Sequence, residues 1–243
     1  MKNRASKTVI IAHRGDSIRA PENTIAACNL ALEQGADGLE VDLRLCGSGE
    51  IVLFHDKLLY RHFGSLKPVY LSTLKELRAL QFSKNNYATK GNIASIDEFF
   101  EEFKSRTLIN LEAKTFYADT GYLAREVVRA VKRFNMQDQV LISSFNPIFL
   151  KFVKLNTPAL RTGYLFNKIP RIHRFIDIFL RSDAWHPHFS LIGDEFMATA
   201  RKAGKEIYVW TVNEADTFKI MQNYGCEGII TDKFYKKRTP GSE

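Results

Sequence analysis

Two acids, a histidine and a distant acid–lysine pair carry the chemistry that this sequence can do. Glu40 and Asp42 stand two residues apart within GLEVDLRL, and His55 and Asp56 follow a short turn in IVLFHD. Leu39, Val41, Leu43 and Leu45 alternate with Glu40, Asp42 and Arg44. A period of two is that of a strand, so both carboxylates share one face. Gly47-Ser48-Gly49 supplies a tight turn, and residues 51–54 form the returning strand. Pairing Leu45 with Ile51 in antiparallel register sets His55 opposite Val41, beside both acids. Carboxylate oxygens suit a hard divalent cation, and imidazole suits proton transfer near neutral pH. A solvated polar face is an equal reading of this stretch by itself. The remaining strand ends decide between the two.

The pattern along the chain says what must position these groups. Residues 8–13 (TVIIAH) form a buried strand ending on His13 and Arg14. Pro21 to Thr24 opens a helix, with Asn23 or Thr24 as its N-cap, and Gly35 closes it. After the hairpin, residues 57–91 are irregular, with one short helix over 72–80, and form an insertion over the site. Strands are predicted at 107–113, 139–144, 160–165, 184–186, 206–211 and 228–231. Helices are predicted at 95–103, 121–134, 147–155, 194–203 and 214–224, with a helix-like segment at 170–180. Leaving the hairpin return aside, eight short strands rich in Val, Ile and Leu alternate with helices, as buried parallel strands do. The length of 243 residues suits a small TIM (β/α)8 barrel. The expected organisation is therefore α/β: one barrel domain over residues 1–243 with a small inserted subdomain after the second strand. An open doubly wound sheet is the alternative, disfavoured because no glycine-rich phosphate loop follows the first strand.

Barrels of this kind place their sites at the C-terminal ends of the strands. Those ends carry, in order, His13 and Arg14, Glu40 and Asp42, Glu112 and Lys114, and Ser144 and Asn146. Then come His186 and His188, Trp210 with Thr211 and Asn213, and Thr231 with Asp232. Glu40, Asp42 and Glu112 can converge on a hard cation. Arg14 and Lys114 suit an anionic oxygen, phosphate above all. His13 and His55 are two proton carriers, and the division of acid and base between them stays open. Together these groups point to hydrolysis of a phosphate ester. Trp210 is read as a wall of the pocket in preference to packing the barrel top, Asp56 as the orienter of His55 or of the turn, and Glu22 and Asn23 as loop and cap residues that brace Arg14. His186 and His188 either line the mouth or pack beside it. His62, His173 and Asp16 are expected at the surface, and Phe99, Phe100 and Phe103 in the core.

Composition narrows the function classes. The apolar fraction of 45% is ordinary for a globular protein. Three cysteines without CxxC spacing argue against a disulfide framework or a thiolate zinc site and fit a reducing compartment. With no signal-peptide pattern at the N-terminus and no bilayer-length apolar run, a cytoplasmic location is expected. The net charge is +8. The charge is densest from Lys151 to Arg181, where seven Lys and Arg residues stand against one acid, Asp177. No RNP pattern, zinc-finger spacing or heptad run accompanies it, so nucleic acid is not an expected partner. The stretch PRIHRFIDIFLR at 170–181 is read as an ordinary barrel helix with an apolar inner face; contact with anionic lipid is the rival reading.

The segments HRGDSIRAPENT, GLEVDLRL, IVLFHD, NLEAK, SSFNP, RTGYLF, HPHFSL, YVWTVN and GIITD, in this order, resemble glycerophosphodiester phosphodiesterases of the short bacterial form. The resemblance runs from Ile10 to Phe234. It implies a TIM barrel with a small insertion, matched here by residues 57–91. It implies one divalent cation, Mg²⁺ or Ca²⁺, held by Glu40, Asp42 and Glu112. It also implies catalytic histidines at His13 and His55 and phosphate contacts at Arg14 and Lys114. The family reaction cleaves a glycerophosphodiester to sn-glycerol 3-phosphate and an alcohol. A lysophospholipase D on the same scaffold, or a non-catalytic phosphate-binding barrel, are the rivals. Two departures stand out. The insertion reads YRHFGSLKPVYLSTL without the family's Thr-rich stretch, which bears on the alcohol group, and NIASIDEF replaces a common Ile-Pro-Thr-Leu.

Overall fold

The computed structural model describes residues 8–82, 91–115, 118–168 and 172–234. In chain order these form β1 (Val9–His13), α1 (Ile25–Glu33), β2 (Gly38–Leu45), β3 (Ile51–Leu53), α2 (Tyr60–Phe63), α3 (Leu74–Arg78), α4 (Ile96–Phe103) and β4 (Leu108–Ala113). They continue with α5 (Thr120–Arg133), β5 (Val140–Ser144), α6 (Pro147–Asn156), β6 (Arg161–Phe166), α7 (Ile172–Leu180) and β7 (Ala184–Pro187). The last are α8 (Asp194–Lys202), β8 (Glu206–Val209), α9 (Ala215–Asn223) and β9 (Gly228–Thr231). Short 3-10 turns lie at Val69–Leu71 and Phe189–Leu191.

Eight parallel strands, β1, β2 and β4 to β9, follow one another around a sheet that closes where β1 pairs with both β2 and β9. Helices connect successive strands on the outside, so the fold is a TIM barrel, as the alternation predicts. β3 stands apart from the ring as the antiparallel partner of β2. Its register is Leu45 to Ile51, the pairing expected from the turn. The Phe54 amide donates to the Asp42 carbonyl at 2.9 Å and carries that register one step further.

Local chemistry explains where the helices start. Ser95 and Glu98 form a capping box at α4, Thr73 and Glu76 another at α3. Thr24 caps α1, and Asn146 caps α6 with Pro147 in the first turn. The main core lies between the strands and the outer helices. Phe99, Phe100 and Phe103 of α4 are fully buried in it; truncating any one to Ala costs about 3–5 kcal/mol. A second cluster fills the barrel interior with Ile11, Leu141, Ala184, Tyr208 and Ile230. A third, containing Val52, Phe54, Leu59, Val69 and Leu77, seals the segment after β3 against the hairpin. Among the described residues no helix is long and apolar enough to cross a membrane.

Three surface expectations meet different outcomes. Asp16 is buried, because its carboxylate takes the Arg19 guanidinium and backbone amide in a tight loop. His62 is buried too, packed edge-on against Phe54 and Phe82 and tilted against Phe63, with Nε2 3.6 Å from Glu22. The irregular stretch around His62 and the polarity of Asp16 predict the surface for both; aromatic ring contacts and ion pairing put them inside. The side chain of His173 lies outside the described residues, as do residues 83–90 of the expected insertion.

Candidate active site

The barrel register brings the acids together. His13 of β1 stands beside Glu40 of β2, and Asp42 stands beside Glu112 of β4. Alternation turns Glu40 and Asp42 to the same side, into the closed barrel, where both are buried with Glu112. One oxygen from each of Glu40, Asp42 and Glu112 lies within 4.8 Å of the others. Oxygens this close can share a cation at the usual distance of about 2.0–2.6 Å. Glu40 Oε1 is buried and has no hydrogen-bond partner among the described residues, so one acceptor of the cluster is left for such an ion.

Cations hem the cluster. Arg14 Nε is 3.0 Å from Asp42 Oδ2, and Lys114 Nζ contacts Glu112 and lies 3.2 Å from Asp42 Oδ1. Arg14 adopts the left-handed region at φ 59° and Gly15 follows at 77°. The turn is held because the Arg14 amide donates to the Glu40 carboxylate at 2.9 Å. A left-handed non-glycine residue costs about 1–2 kcal/mol, and Gly15 admits no side chain, since a Cβ there would lie 2.6 Å from the α1 backbone. This double bend aims both His13 and Arg14 into the barrel mouth.

Each histidine has its own carboxylate. His13 Nδ1 bonds Asp232 at 2.7 Å, and His55 Nδ1 bonds Asp56 at 2.6 Å. An ionised carboxylate only accepts, so Nδ1 carries the proton and Nε2 is left for substrate in both rings. Trp210 is partly exposed at the rim; its Nε1 donates to the His186 carbonyl at 2.8 Å and its ring meets Phe145 edge-on.

Burial and charge set the titration. Burial, then the neighbouring Asp42 charge, pushes Glu40 above the ordinary carboxylate range. Glu112 is also raised, by burial and Asp42 against the pull of Lys114. Burial works against the ionised form of Asp42 as well, but Lys114 and Arg14 outweigh it and hold that carboxyl far below its usual value. Burial lowers His55, helped by Arg14 and Lys114. Burial would lower His13 too, but the Asp232 bond and the Glu40 charge outweigh it and the net shift is upward.

The family model described as the glycerophosphoryl diester phosphodiesterase family matches residues 13–236. The chain belongs to this family. A glycerophosphodiester phosphodiesterase of Caldanaerobacter subterraneus is 34% identical over 93% of this chain and 94% of its own. An Oleispira antarctica phosphodiesterase, solved with the product sn-glycerol-3-phosphate, superposes with a TM-score of 0.84 at 29% identity, covering 92% of both chains. The glycerophosphodiester phosphodiesterase of Thermotoga maritima superposes with a TM-score of 0.76 at 28% identity, covering 93% of this chain and 94% of that one.

In this phosphodiesterase-family chain, all eight residues singled out from the sequence reach one end of the barrel. Buried Glu40, Asp42 and Glu112 form the center with partly buried His13, Arg14 and Lys114, and His55 and Trp210 stand on its rim. Four more residues belong to the arrangement. Asp232 holds His13 and is itself held by Asn213 at 2.6 Å. Asn23, with φ 59°, donates to the Asp42 carboxylate and accepts from the Asp42 amide, both at 2.9 Å. Arg44 reaches from β2 to the carbonyls of His55 and Lys114 at 2.8 and 3.1 Å and ties two loops together. Arg61 of α2 bonds Asp56 at 2.5 Å and grips Glu22, which bonds Arg14 at 3.1 Å. Arg44 shares the strand face of Glu40 and Asp42, a signal that was legible; Arg61 had none. Other rim residues serve the scaffold. Ser144 donates to the Ala113 carbonyl, Asn146 caps α6, and His186 is buried against Tyr208 beneath Gly163.

Proposed function

We propose that this protein hydrolyses glycerophosphodiesters to sn-glycerol 3-phosphate and an alcohol, using one divalent cation held by Glu40, Asp42 and Glu112. The observation that carries the reading is the close approach of those three buried carboxylates, flanked by two cations and two carboxylate-paired histidines. When bound, the cation, Mg²⁺ or Ca²⁺, supplies Lewis-acid polarisation of the phosphoryl oxygens. Arg14 and Lys114 bind and orient the phosphate, and Arg14 is itself aimed by Glu22 and Asp42. His55, with the lower proton affinity, accepts the proton of the attacking oxygen at Nε2. His13, with the higher affinity, donates from Nε2 to the leaving alkoxide. Trp210 walls the glycerol side of the pocket.

The same reading treats residues 1–243 as one domain, with 57–91 as an insertion that carries Arg61 to the site. A small-molecule substrate in the cytoplasm fits three buried, unpaired cysteines. The test is glycerol 3-phosphate release from glycerophosphocholine after chelation and after Mg²⁺ or Ca²⁺ is restored. Activity should return with the ion and be absent from His13→Ala and Glu40→Ala. An ion-binding but inactive wild-type protein would leave lysolipid hydrolysis or phosphate binding as the function.

A further inference from the structure

The flank formed by α6 and α7 is apolar where a barrel helix ordinarily faces water with polar side chains. On α6, Ile148, Phe152 and Leu155 fall at i, i+4 and i+7, which is one stripe of a helix. All three are exposed, Leu155 by 67%. Beside them α7 exposes Ile178 by 71% and Phe179 by 63%. The two helices meet at this patch. Lys151 Nζ donates to the Phe179 carbonyl at 3.0 Å and lies 4.3 Å from the centre of the Phe179 ring.

α7 is also inverted in charge. Its acid, Asp177, is buried, accepts from Ser182 and pairs with Lys205 at 2.7 Å. A helix packed only for stability would turn a carboxylate out and a phenylalanine in. The apolar surface runs on toward the mouth, where exposed Phe145 precedes α6 and meets Trp210.

Charge selects the occupant. Of the seven cations from Lys151 to Arg181, Lys154 and Arg161 are paired with Asp183 and Glu206, but Arg181 is exposed beside the patch and the one acid of the stretch points inward. A second copy docking by a two-fold contact would set Lys151 and Arg181 near their own equivalents, with +8 on each chain. An anionic bilayer satisfies the apolar stripe and the cations together. We infer that the α6–α7 flank is a peripheral docking surface for anionic lipid. Phe152, Leu155, Ile178 and Phe179 enter the headgroup layer, while Lys151 and Arg181 reach the phosphates. This docking is independent of the reaction proposed above.

The experiment is sedimentation of the full chain with vesicles of phosphatidylcholine alone, and with about a third phosphatidylglycerol, at low salt and at about 0.3 M salt. Binding should require phosphatidylglycerol, fall steeply with salt, and weaken about five-fold for each of Lys151→Ala and Arg181→Ala. Leu155→Ser with Phe179→Ser should weaken it about ten-fold or more without lowering the melting temperature. As an independent reporter, Leu155→Trp should add a tryptophan signal that shifts to the blue on mixed vesicles. Absence of binding at low salt, an unshifted Leu155→Trp signal, or binding untouched by the serine pair would overturn the inference. So would a concentration-dependent dimer, seen by sedimentation velocity and abolished by the serine pair, because it would give the patch to a second copy.

Discussion

Each histidine of the site faces a carboxylate of its own, yet the two rings shift in opposite directions. His55 is lowered by burial and by two cations, whereas the Asp232 bond and Glu40 lift His13 against burial. In the proposed reaction the base must be neutral and the acid protonated. Activity therefore rises as pH climbs through the pKa of His55, below 6.5, and falls as pH climbs through that of His13, above 6.5. Measured as kcat/KM against pH, the wild-type profile should be a bell. Asp232→Asn removes the main support of the His13 proton and should move the alkaline limb to lower pH. An alkaline limb that stays in place would take the donor role away from His13.

At the scale of elements, the short helix α2 bears directly on the center although it lies outside the barrel. Arg61 grips Glu22 and Asp56, and these hold Arg14 and His55 in turn. Because the Arg61 side chain is 41% exposed, its ion pairs add at most about 1 kcal/mol to stability. Its larger effect is on aim. Arg61→Gln should lower kcat/KM about 10- to 100-fold, the usual cost of losing an outer partner of a site, while the melting temperature hardly changes. Arg61→Lys should restore little, since an ammonium lacks the planar fork that spans two carboxylates. Steady-state kinetics beside thermal melts of both variants check this; a large stability loss with normal turnover would make Arg61 a tether alone.

For the whole molecule, the barrel gathers buried charge at one end and also buries the imidazole of His186 against Tyr208. Three carboxylates so close repel one another, and a bound divalent ion relieves that. Ion at about 100 times its Kd should stabilise the fold by about 2.7 kcal/mol, visible as a rise in melting temperature that Glu40→Gln abolishes. His186 gives the opposite behaviour in acid. Among the described residues neither ring nitrogen has a hydrogen-bond partner, and burial holds its pKa at about 3, below the ordinary 6.5. Between those values the unfolded chain binds the extra proton, so stability falls as pH drops from 6.5 toward 3, by up to about 1.4 kcal/mol per pH unit. His186→Gln lowers stability at neutral pH but should flatten that decline. Parallel slopes in denaturant titrations at pH 6 and pH 4, roughly the window in which the ring titrates, would show that His186 does not carry the acid sensitivity.

Much of this architecture is legible in the sequence. Period-two alternation put Glu40 and Asp42 on one face, the glycine turn set Leu45 against Ile51, and the order of motifs carried the family and its barrel. These features are local, or repeat at short range, so the chain writes them in adjacent residues. Tertiary structure alone decided the partnerships across the barrel. Asp232 reaches His13 over a separation of 219 residues, and Arg61 reaches Glu22 across 39. Closure of the ring makes such groups neighbours, and no spacing in the sequence announces it. The same holds for side-chain direction. Asp16, His62 and Asp177 are polar residues turned inward, while Phe179 and Leu155 are apolar residues turned out. Residue type states what a group prefers; only the packing of neighbouring elements determines which preferences are met.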